Sequence, residues 1–488
     1  MKKALLICLC LAGCKVGPDY QAPAITASNT WAAQDALVTQ DAPLTDWWKV
    51  FNDPLLTKYI ELAARYNENV LTAEANILQA RGLRTVTASA LFPQVSADIN
   101  ATKTFFSKNG PVFAIGTAGG NTNSTSSTTT GLPFVPQVPQ IQNLFNALFD
   151  ASWEIDLFGK TRRSVEAADA QIDTAIQQRN DTLLSVLAEL ARNYMDLRAA
   201  QKQVQLTEAN IQLIEENAAI VKDQFSTGYV SDLDVESIEA DVATARSALP
   251  TYLAQIYRSI YAIAVLTGHP PETFVEELMP HAPLPSIPTS VAVGLRSDLL
   301  RRRPDVRRAE RNLAAATANV GVAVASFYPS LVFTPDFGFQ SLQISNLFQA
   351  ASRTWAIGGN LDVPIFEGGQ LVGNLRASRA AEQAAFHNYQ QTVLSALQDA
   401  ETSVKTCSSD IATMQQLQVA TEKNRALVGL TDNRYTSGLV GKIDLLTQER
   451  QLIAVEQNLL SSQQTTLVDL IALYKALGGG WESFPTNH

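Results

Sequence analysis

The chain has 488 residues, of which 46% are hydrophobic and 17% are charged. This composition is typical of a folded protein, because a disordered chain carries fewer apolar residues and more charge. The formal net charge of -10 argues against a general nucleic-acid-binding protein, since neutralising phosphates requires a basic surface. Four cysteines are too few for a disulfide-stabilised scaffold.

The first residues have the order of a bacterial lipoprotein signal. Two lysines precede an apolar run over residues 4–11, and small residues then lead to Cys14. The apolar run is too short to cross a bilayer as a permanent helix. The sequence therefore predicts a signal peptide over residues 1–13 and lipidation of Cys14, with a plain secretory signal as the alternative. Lys15 is not the Asp associated with inner-membrane retention in enteric bacteria, which favours the outer membrane.

The rest of the chain contains two copies of one unit. Residues 70–93 match residues 306–329 without a gap, and both segments end in an aromatic residue followed by proline. The match resumes later at a smaller offset, so the first copy holds extra residues. These lie in the stretch 107–140, whose content of Gly, Ser, Thr, Asn and Pro predicts a surface loop.

Each copy contains a predicted helix that is too long for a compact globule. Residues 160–227 hold neither Gly nor Pro, and as an α-helix they would extend about 100 Å, whereas a compact sphere of this chain would be about 60 Å across. Apolar residues recur at every seventh position, which drives left-handed coiling of packed helices. The predicted helices are 160–227 with its return helix 232–267, kinked at Pro250, and 369–437 with its return helix 442–477.

Between the proline corner and the long helix, each copy changes to a period of two. Phe149, Ala151 and Trp153 alternate with Asp150 and Ser152, which predicts a strand with one apolar face and one acidic face. The predicted strands are 92–106, 145–158, 330–340 and 353–365.

Each predicted strand is about ten residues long, which suffices to cross a bilayer at a tilt. A soluble sandwich would show the same alternation. The predicted lipidation, the long helices and the lack of an apolar stretch of about 18 residues favour a membrane barrel. Four strands cannot close a barrel, for which about eight are needed, so several chains must share one.

Short motifs occur in a fixed order along the chain after Cys14. They are Val16-Gly17-Pro18-Asp19-Tyr20, then Trp47-Trp48 with Phe51-Asn52-Asp53-Pro54, then Trp153-Glu154-Ile155-Asp156-Leu157-Phe158-Gly159, then Arg302-Arg303-Pro304-Asp305-Val306-Arg307 with Ala309-Glu310, and finally Tyr474-Lys475-Ala476-Leu477-Gly478-Gly479-Gly480-Trp481. Each motif alone is weak, whereas their order is specific. On these motifs the chain resembles the outer membrane factor family, the TolC- and OprM-like exit ducts of tripartite efflux pumps, and within it the lipidated NodT-type branch.

The resemblance implies an α+β membrane protein with an internal two-fold sequence repeat. Three chains, with four strands each, would form one twelve-stranded β-barrel, continued by a long periplasmic α-helical barrel with a mixed equatorial belt. The expected division is a signal peptide (1–13), a lipidated N-terminal segment and belt (14–54), the first repeat (55–268), a linker and belt (269–297), the second repeat (298–479) and a C-terminal tail (480–488).

The resemblance also implies a function without catalysis. We expect a passive duct in the outer membrane of a Gram-negative bacterium, lipid-anchored and with a periplasmic extension, that releases drugs and other small toxic compounds and so confers antibiotic resistance. Its expected partners are two further copies, a periplasmic adaptor (membrane fusion protein) and an inner-membrane transporter of the RND type. The alternatives are a protein-secretion (type I) conduit and a structural envelope lipoprotein.

The turns between each long helix and its return helix are candidate contacts for the adaptor. A glycine at the end of a helix is first of all a C-cap, which every helical hairpin needs. The apolar residues beside each glycine are not explained by capping and suggest a partner surface. The adaptor-contact candidates are Gly228, Tyr229, Val230, Gly438, Leu439 and Val440.

Two aspartates follow the turns at matching places, Asp234 and Asp444. The simpler interpretation is a carboxylate that the helix dipole favours. A three-fold axis would instead convert both into acidic rings that gate the duct. Thr447 stands where OprM-like ducts carry an Asp, so a gate copied from those relatives is not expected, and Ile443 is a candidate apolar plug. Arg450 completes the gate candidates and needs a partner on a neighbouring helix, because it cannot meet Asp444 along one helix face.

Other polar clusters favour structural roles. The arginines between residues 301 and 311 suggest an anion site or, more simply, a solvated helix of the belt. Cys407 occupies an apolar seam position and is interpreted as a core residue. The four histidines show no metal-ligand spacing, and there is no phosphate-binding glycine loop, nucleophile elbow or Cys-x-x-Cys. We expect no metal, no cofactor and no enzyme activity.

Overall fold

The computed structural model describes residues 15–24, 31, 38–39, 45–107, 139–288, 291–294 and 296–485. Cys14, the predicted signal peptide and residues 108–138 of the predicted loop lie outside this part of the chain. Within it, the helices are all too short or too polar to cross a membrane.

Helices and strands occur in the same order in both sequence repeats. The first half contains β1 (Val38–Thr39), a 3-10 turn (Trp47–Phe51), α1 (Pro54–Tyr66), α2 (Glu68–Ser89), β2 (Gln94–Phe105), β3 (Ile141–Ile155), α3 (Lys160–Ser226) and α4 (Asp232–Leu266). The second half contains α5 (Val275–Leu278), β4 (Val291–Ala292), α6 (Arg296–Arg302), α7 (Pro304–Ala325), β5 (Ser330–Ser341), β6 (Arg353–Asp362), α8 (Gln370–Thr436) and α9 (Lys442–Ala476). Short 3-10 turns lie at Ile344–Asn346, Ala350–Ser352 and Trp481–Ser483.

The long helices have the same length in both repeats. α3 and α8 each contain 67 residues, which corresponds to about 100 Å of helix. Their return helices, α4 and α9, each contain 35 residues. α4 continues through Pro250, where the sequence predicts a kink because proline lacks the N–H of a helical hydrogen bond; the kink stays a prediction.

One antiparallel sheet combines strands from both repeats, in the order β2-β3-β5-β6. Its central pair is β3 with β5, which come from different repeats. Because of this pairing, the compact units of the fold do not coincide with the repeats. Met1–Asp19, Leu83–Ala168 and Thr317–Ala380 form the unit that holds the sheet, and Tyr20–Gly82, Asp169–Ala316 and Ala381–His488 form the other.

The sheet has one apolar face and one polar face. The strand register places Phe149 opposite Phe337 and Phe337 opposite Trp355, in one row on the same face. The adjacent row, on the opposite face, pairs Asp150 with Asp336. The apolar side chains are exposed in a single chain, Trp355 to 69%, although large apolar residues are otherwise buried. The alternation that the sequence predicts is therefore present in three dimensions.

Three strand ends differ from the predicted ones, one because of pairing with a distant strand and two because of nearby residues. β3 begins at Ile141 rather than at residue 145, because β2 continues to pair with it as far as Phe105 opposite Ile141. β3 ends at Ile155, and the next residue, Asp156, accepts a hydrogen bond from the backbone N–H of Arg162 at 3.0 Å. β6 ends at Asp362, ahead of Pro364, which cannot donate a hydrogen bond to a neighbouring strand.

The largest apolar cluster of the second unit is built around the Trp47-Trp48 motif. Both tryptophans are buried, and the Trp47 ring stacks on that of Tyr474 with centroids 5.6 Å apart. Asp53 caps the following helix, since its carboxylate accepts from the backbone N–H of Leu55 at 2.9 Å and of Leu56 at 3.1 Å. The Trp47-Trp48 motif therefore packs against residues near the C-terminus, Tyr474 and Phe484. This contact brings together two motifs that are far apart in the sequence.

Buried arginines on α3 hold segments that lack regular structure. Each donates hydrogen bonds to main-chain carbonyls: Arg163 to Val16 and Gly17 in the unit with the sheet, and in the other unit Arg179 to Phe484 and Arg198 to Pro280. Carbonyls outside helices and strands have no regular backbone donor, and the guanidinium groups supply one. The arginines therefore attach the N-terminal segment, the C-terminal tail and the linker between the repeats to one helix.

Asp53 offers a test of the packing around the first tryptophans. Asp53→Ala removes the helix cap and also the acceptor of the Tyr194 hydroxyl, which donates at 2.7 Å. We expect the free energy of unfolding to fall by about 1–3 kcal/mol. Tryptophan fluorescence, recorded during heating, measures the change. Asp53→Asn keeps an oxygen acceptor and is the control. A wild-type transition in Asp53→Ala would contradict this assignment.

Candidate functional site at the helical hairpin tips

The two hairpin turns have the same backbone geometry. Gly228 and Gly438 have φ values of 77° and 72°, in the left-handed region that side chains other than glycine rarely adopt. In the first turn, the N–H of Tyr229 donates to the backbone carbonyl of Gln224 at 2.9 Å. In the second turn, the N–H of Leu439 donates to the backbone carbonyl of Arg434 at 2.8 Å. The turns thus place Tyr229 and Leu439 at equivalent positions.

The side chains at both tips are apolar and exposed. Tyr229 is 85% exposed and Leu439 is 70% exposed, whereas Val230 and Val440 are partly buried. Leu233, which the sequence analysis did not single out, is 77% exposed. A single chain therefore presents an apolar patch at each tip, which we call the tip patches: Tyr229 with Leu233 at the first turn and Leu439 at the second.

Asp234 and Asp444 each bind their own turn. The Asp234 carboxylate accepts hydrogen bonds from the N–H and the hydroxyl of Ser231 at 2.8 and 2.7 Å, and these bonds lower the pKa of Asp234. The Asp444 carboxylate accepts from the N–H of Gly441 at 2.9 Å. Both aspartates are exposed and cap the return helices, so the simpler interpretation accounts for their position.

The remaining gate candidates lie on the first turns of α9. Ile443 is partly buried, and the Thr447 hydroxyl donates to the Ile443 carbonyl at 2.8 Å. Arg450 lies 3.9 Å from the carboxylate of Asp241 on α4. The partner of Arg450 is thus on a neighbouring helix, as expected, and it is Asp241 of the other hairpin.

A second ion pair connects the same two hairpins. The Lys442 ammonium lies 3.1 Å from the Glu216 carboxylate on α3, and this hydrogen bond raises the pKa of Lys442. Lys442, Glu216 and Asp241 were not found from the sequence, because residues this far apart share no spacing signal. The two ion pairs, Lys442 with Glu216 and Arg450 with Asp241, attach the start of α9 to the first hairpin.

Ion pairs also join the two helices within each hairpin. Glu215 on α3 lies 2.6 Å from Arg246 on α4, and Arg425 on α8 lies 2.8 Å from Glu456 on α9. These pairs occupy equivalent positions in the two repeats with the charges reversed. They are exposed, so each contributes at most about 1 kcal/mol.

The other clusters have structural partners. Four of the arginines between residues 301 and 311 form ion pairs with carboxylates: Arg302, Arg303, Arg308 and Arg311. The interpretation as a solvated helix is wrong for Arg303, which is largely buried, lies 2.6 Å from Asp305 and donates to the Ala476 carbonyl at 3.1 Å. Cys407 is buried, which raises the pKa of its thiol to about 12. In the described part of the chain, no group of three or more His, Cys, Asp or Glu side chains could hold a metal ion.

Comparison with known proteins agrees with this architecture. The sequence profile of the outer membrane efflux protein family matches residues 59–269 and 295–479. The chain is 27% identical to the toluene efflux pump outer membrane protein TtgF of Pseudomonas putida, over 99% of this chain and 98% of that protein. It is 28% identical to nodulation protein T of Rhizobium leguminosarum bv. viciae, over 98% and 93% of the two chains.

The fold is similar to that of a solved outer-membrane channel. The outer-membrane channel OprN superposes with a TM-score of 0.82 and 29% identity, over 96% of this chain and all of the other. The fold class and the efflux function that the motifs imply are thus confirmed. The family match covers most of both repeats, and the chain belongs to the outer membrane efflux protein family.

Proposed function

We propose that three copies of this chain form a passive exit duct of a tripartite pump, anchored in the outer membrane by a lipid on Cys14. A periplasmic adaptor and an inner-membrane transporter of the RND type would deliver the cargo and the energy. The name of the relative TtgF refers to toluene efflux, so we propose small apolar toxic compounds, including drugs, as cargo. Such a duct needs no catalytic residues.

The two-faced sheet is the observation that carries this proposal. Its apolar row of Phe149, Phe337 and Trp355 suits contact with lipid, and its acidic row of Asp150 and Asp336 suits a water-filled lumen. β2 and β6 are the outer strands of the sheet. A bilayer does not tolerate unpaired strand edges, so these two strands must pair with those of further copies.

The tip patches support an adaptor-binding role. Exposed apolar side chains at an otherwise polar helix end are typical of a surface that another protein covers. The candidates Gly228, Tyr229, Val230, Gly438, Leu439 and Val440 belong to this proposed surface, and we include Leu233 in it because its side chain is exposed.

We propose that the ion pairs of α9 keep the duct closed at rest. Lys442 with Glu216 and Arg450 with Asp241 attach the second hairpin to the first, so opening that separates the hairpins must break them. Ile443 and Thr447 lie on the same helical turns and move with α9. Asp234 and Asp444 cap their helices and, around a three-fold axis, would add acidic rings that favour cations.

The orientation of the sheet is tested by two neighbouring residues. Phe337→Lys places a charge on the proposed lipid face, which costs about 2–4 kcal/mol near the membrane centre, and we expect much less assembled protein in outer-membrane fractions. Asp336→Lys, on the other face of the same strand, should assemble normally and reduce the cation preference of channels in planar bilayers. Normal assembly of Phe337→Lys with failure of Asp336→Lys would reverse the faces.

The proposed gate is tested by removing both connecting ion pairs. Exposed pairs contribute about 0.2–1 kcal/mol each, so Lys442→Ala with Arg450→Ala should raise the open-state population by up to about fivefold per pair. Single-channel recording measures the open probability. Arg425→Ala breaks a pair within one hairpin and should leave it unchanged. If Arg425→Ala raised the open probability as much as the double variant, the stability of each hairpin, and not the separation of the two hairpins, would control opening.

The acidic rings are tested without damaging the helix caps. Both aspartates are the third residues of their helices, where a side-chain oxygen accepts from the backbone N–H of Ser231 or Gly441. An asparagine amide oxygen can accept the same hydrogen bond, so Asp234→Asn with Asp444→Asn removes charge while retaining the turn. We expect a lower cation preference and a changed single-channel conductance. If both remain as in the wild type, the two aspartates act as caps only.

A further inference from the structure

The N-terminal residues 15–19 lie against the junction between β3 and α3. The N–H of Val16 donates to the Phe158 carbonyl at 3.2 Å, directly before α3 begins. The Lys15 ammonium lies 2.6 Å from the Glu166 carboxylate on the first turns of α3. The segment that follows Cys14 is thus bound, although it belongs to no helix or strand.

Arg163 is the centre of this contact. Its side chain is 1% exposed, and its Nε donates to the Val16 carbonyl at 3.1 Å. One terminal nitrogen donates to the Gly17 carbonyl at 3.1 Å and to Asp19 at 2.8 Å, and the other donates to Glu166 at 2.9 Å. A buried guanidinium is stable only when its donors are satisfied in this way. The segment and the arginine therefore depend on each other.

Two glycines allow this close approach. Gly17 has a φ of 91°, and a Cβ atom there would lie 2.6 Å from the Cα of Gly321 on α7. A Cβ atom on Gly321 would lie 2.8 Å from the Arg163 side chain. The space between α3, α7 and the segment thus excludes even a methyl group at both positions.

We propose that this site, Arg163 with Gly321 and Glu166, binds residues 15–19 in order to fix where the acyl chains of Cys14 enter the membrane. The proposal rests on the lipidation of Cys14 proposed above. Lys15 and Val16 are bound at the junction of β3 and α3, and successive Cα atoms are about 3.8 Å apart, so an acyl chain attached one residue earlier would start close to this junction. The lipid would then hold the sheet at a defined depth, which a flexible tether cannot do.

Protection of one peptide bond tests the proposal. The purified, lipidated protein in detergent is treated with trypsin, and mass spectrometry follows cleavage between Lys15 and Val16. Proteolysis of a folded segment requires its release, so the wild type should be protected. Arg163→Met should be cleaved at least about tenfold faster, since hydrogen bonds to a charged group contribute more than the 1.4 kcal/mol that corresponds to this factor. Arg163→Lys should not restore protection, because an ammonium group lacks the planar fork of donors.

Two further variants keep the outcome clear. Gly17→Ala retains the buried arginine and should also expose the bond, and it decides the question if Arg163→Met does not fold. Arg179→Met removes another buried arginine of α3, which donates to the Phe484 carbonyl, and should leave the bond protected. Rapid cleavage of the wild type, or wild-type protection in both Arg163→Met and Gly17→Ala, would overturn the site.

The lipid is tested separately. Labelled fatty acid should be incorporated into the wild type and into Gly17→Ala, and not into Cys14→Ser. Absence of label from the wild type would overturn the proposed lipid anchor, and with it the purpose assigned to the site, while the protease result would still report whether residues 15–19 are bound.

Discussion

Pairing of β3 with β5 is the contact on which the rest of the structure depends. It joins strands of two sequence repeats into one sheet and leaves β2 and β6 at its edges. The register of this pair aligns Phe149 with Phe337 and Asp150 with Asp336, so the same contact separates an apolar face from an acidic one. A sheet of this kind is incomplete as a single chain, because its apolar face needs lipid and its edges need partner strands.

The buried arginines of α3 solve a different problem. A helix that is 67 residues long satisfies its own backbone, whereas the segments that pass along it leave carbonyls without donors. Arg163, Arg179 and Arg198 supply these donors at three places along the helix. At the opposite end of α3, where the chain turns at Gly228, the contacts are exposed ion pairs and apolar side chains. Buried hydrogen bonds along α3 and weak, exposed contacts at its turn are compatible with the proposed duct, in which the turns would separate.

Local and periodic features could be predicted from the sequence. The absence of Gly and Pro over residues 160–227 predicts α3 to within one residue. The seven-residue repeat of the second copy predicts α8 equally well, although α8 contains Gly373 and Gly429. The period of two predicts the strands and their faces. Features that depend on distant residues could not be predicted. The start of β3 at Ile141 follows from its pairing with β2, and Lys442 and Glu216 show no shared spacing. Arg163 resembles an ordinary solvated helix residue in the sequence, because the carbonyls that it binds carry no side-chain signal.

At the tips, the turn chemistry of Gly228 and Asp234 is visible in the sequence. The exposed Leu233 could not be predicted, because one apolar residue forms no pattern.

The number of chains in the assembled protein is the decisive quantity, because β2 and β6 need strands of further copies as partners. Native mass spectrometry of the protein released from detergent measures this number. We expect three chains, held together without cross-linking. A stable, fully folded monomer would show that the four strands need no partners, and would contradict this expectation.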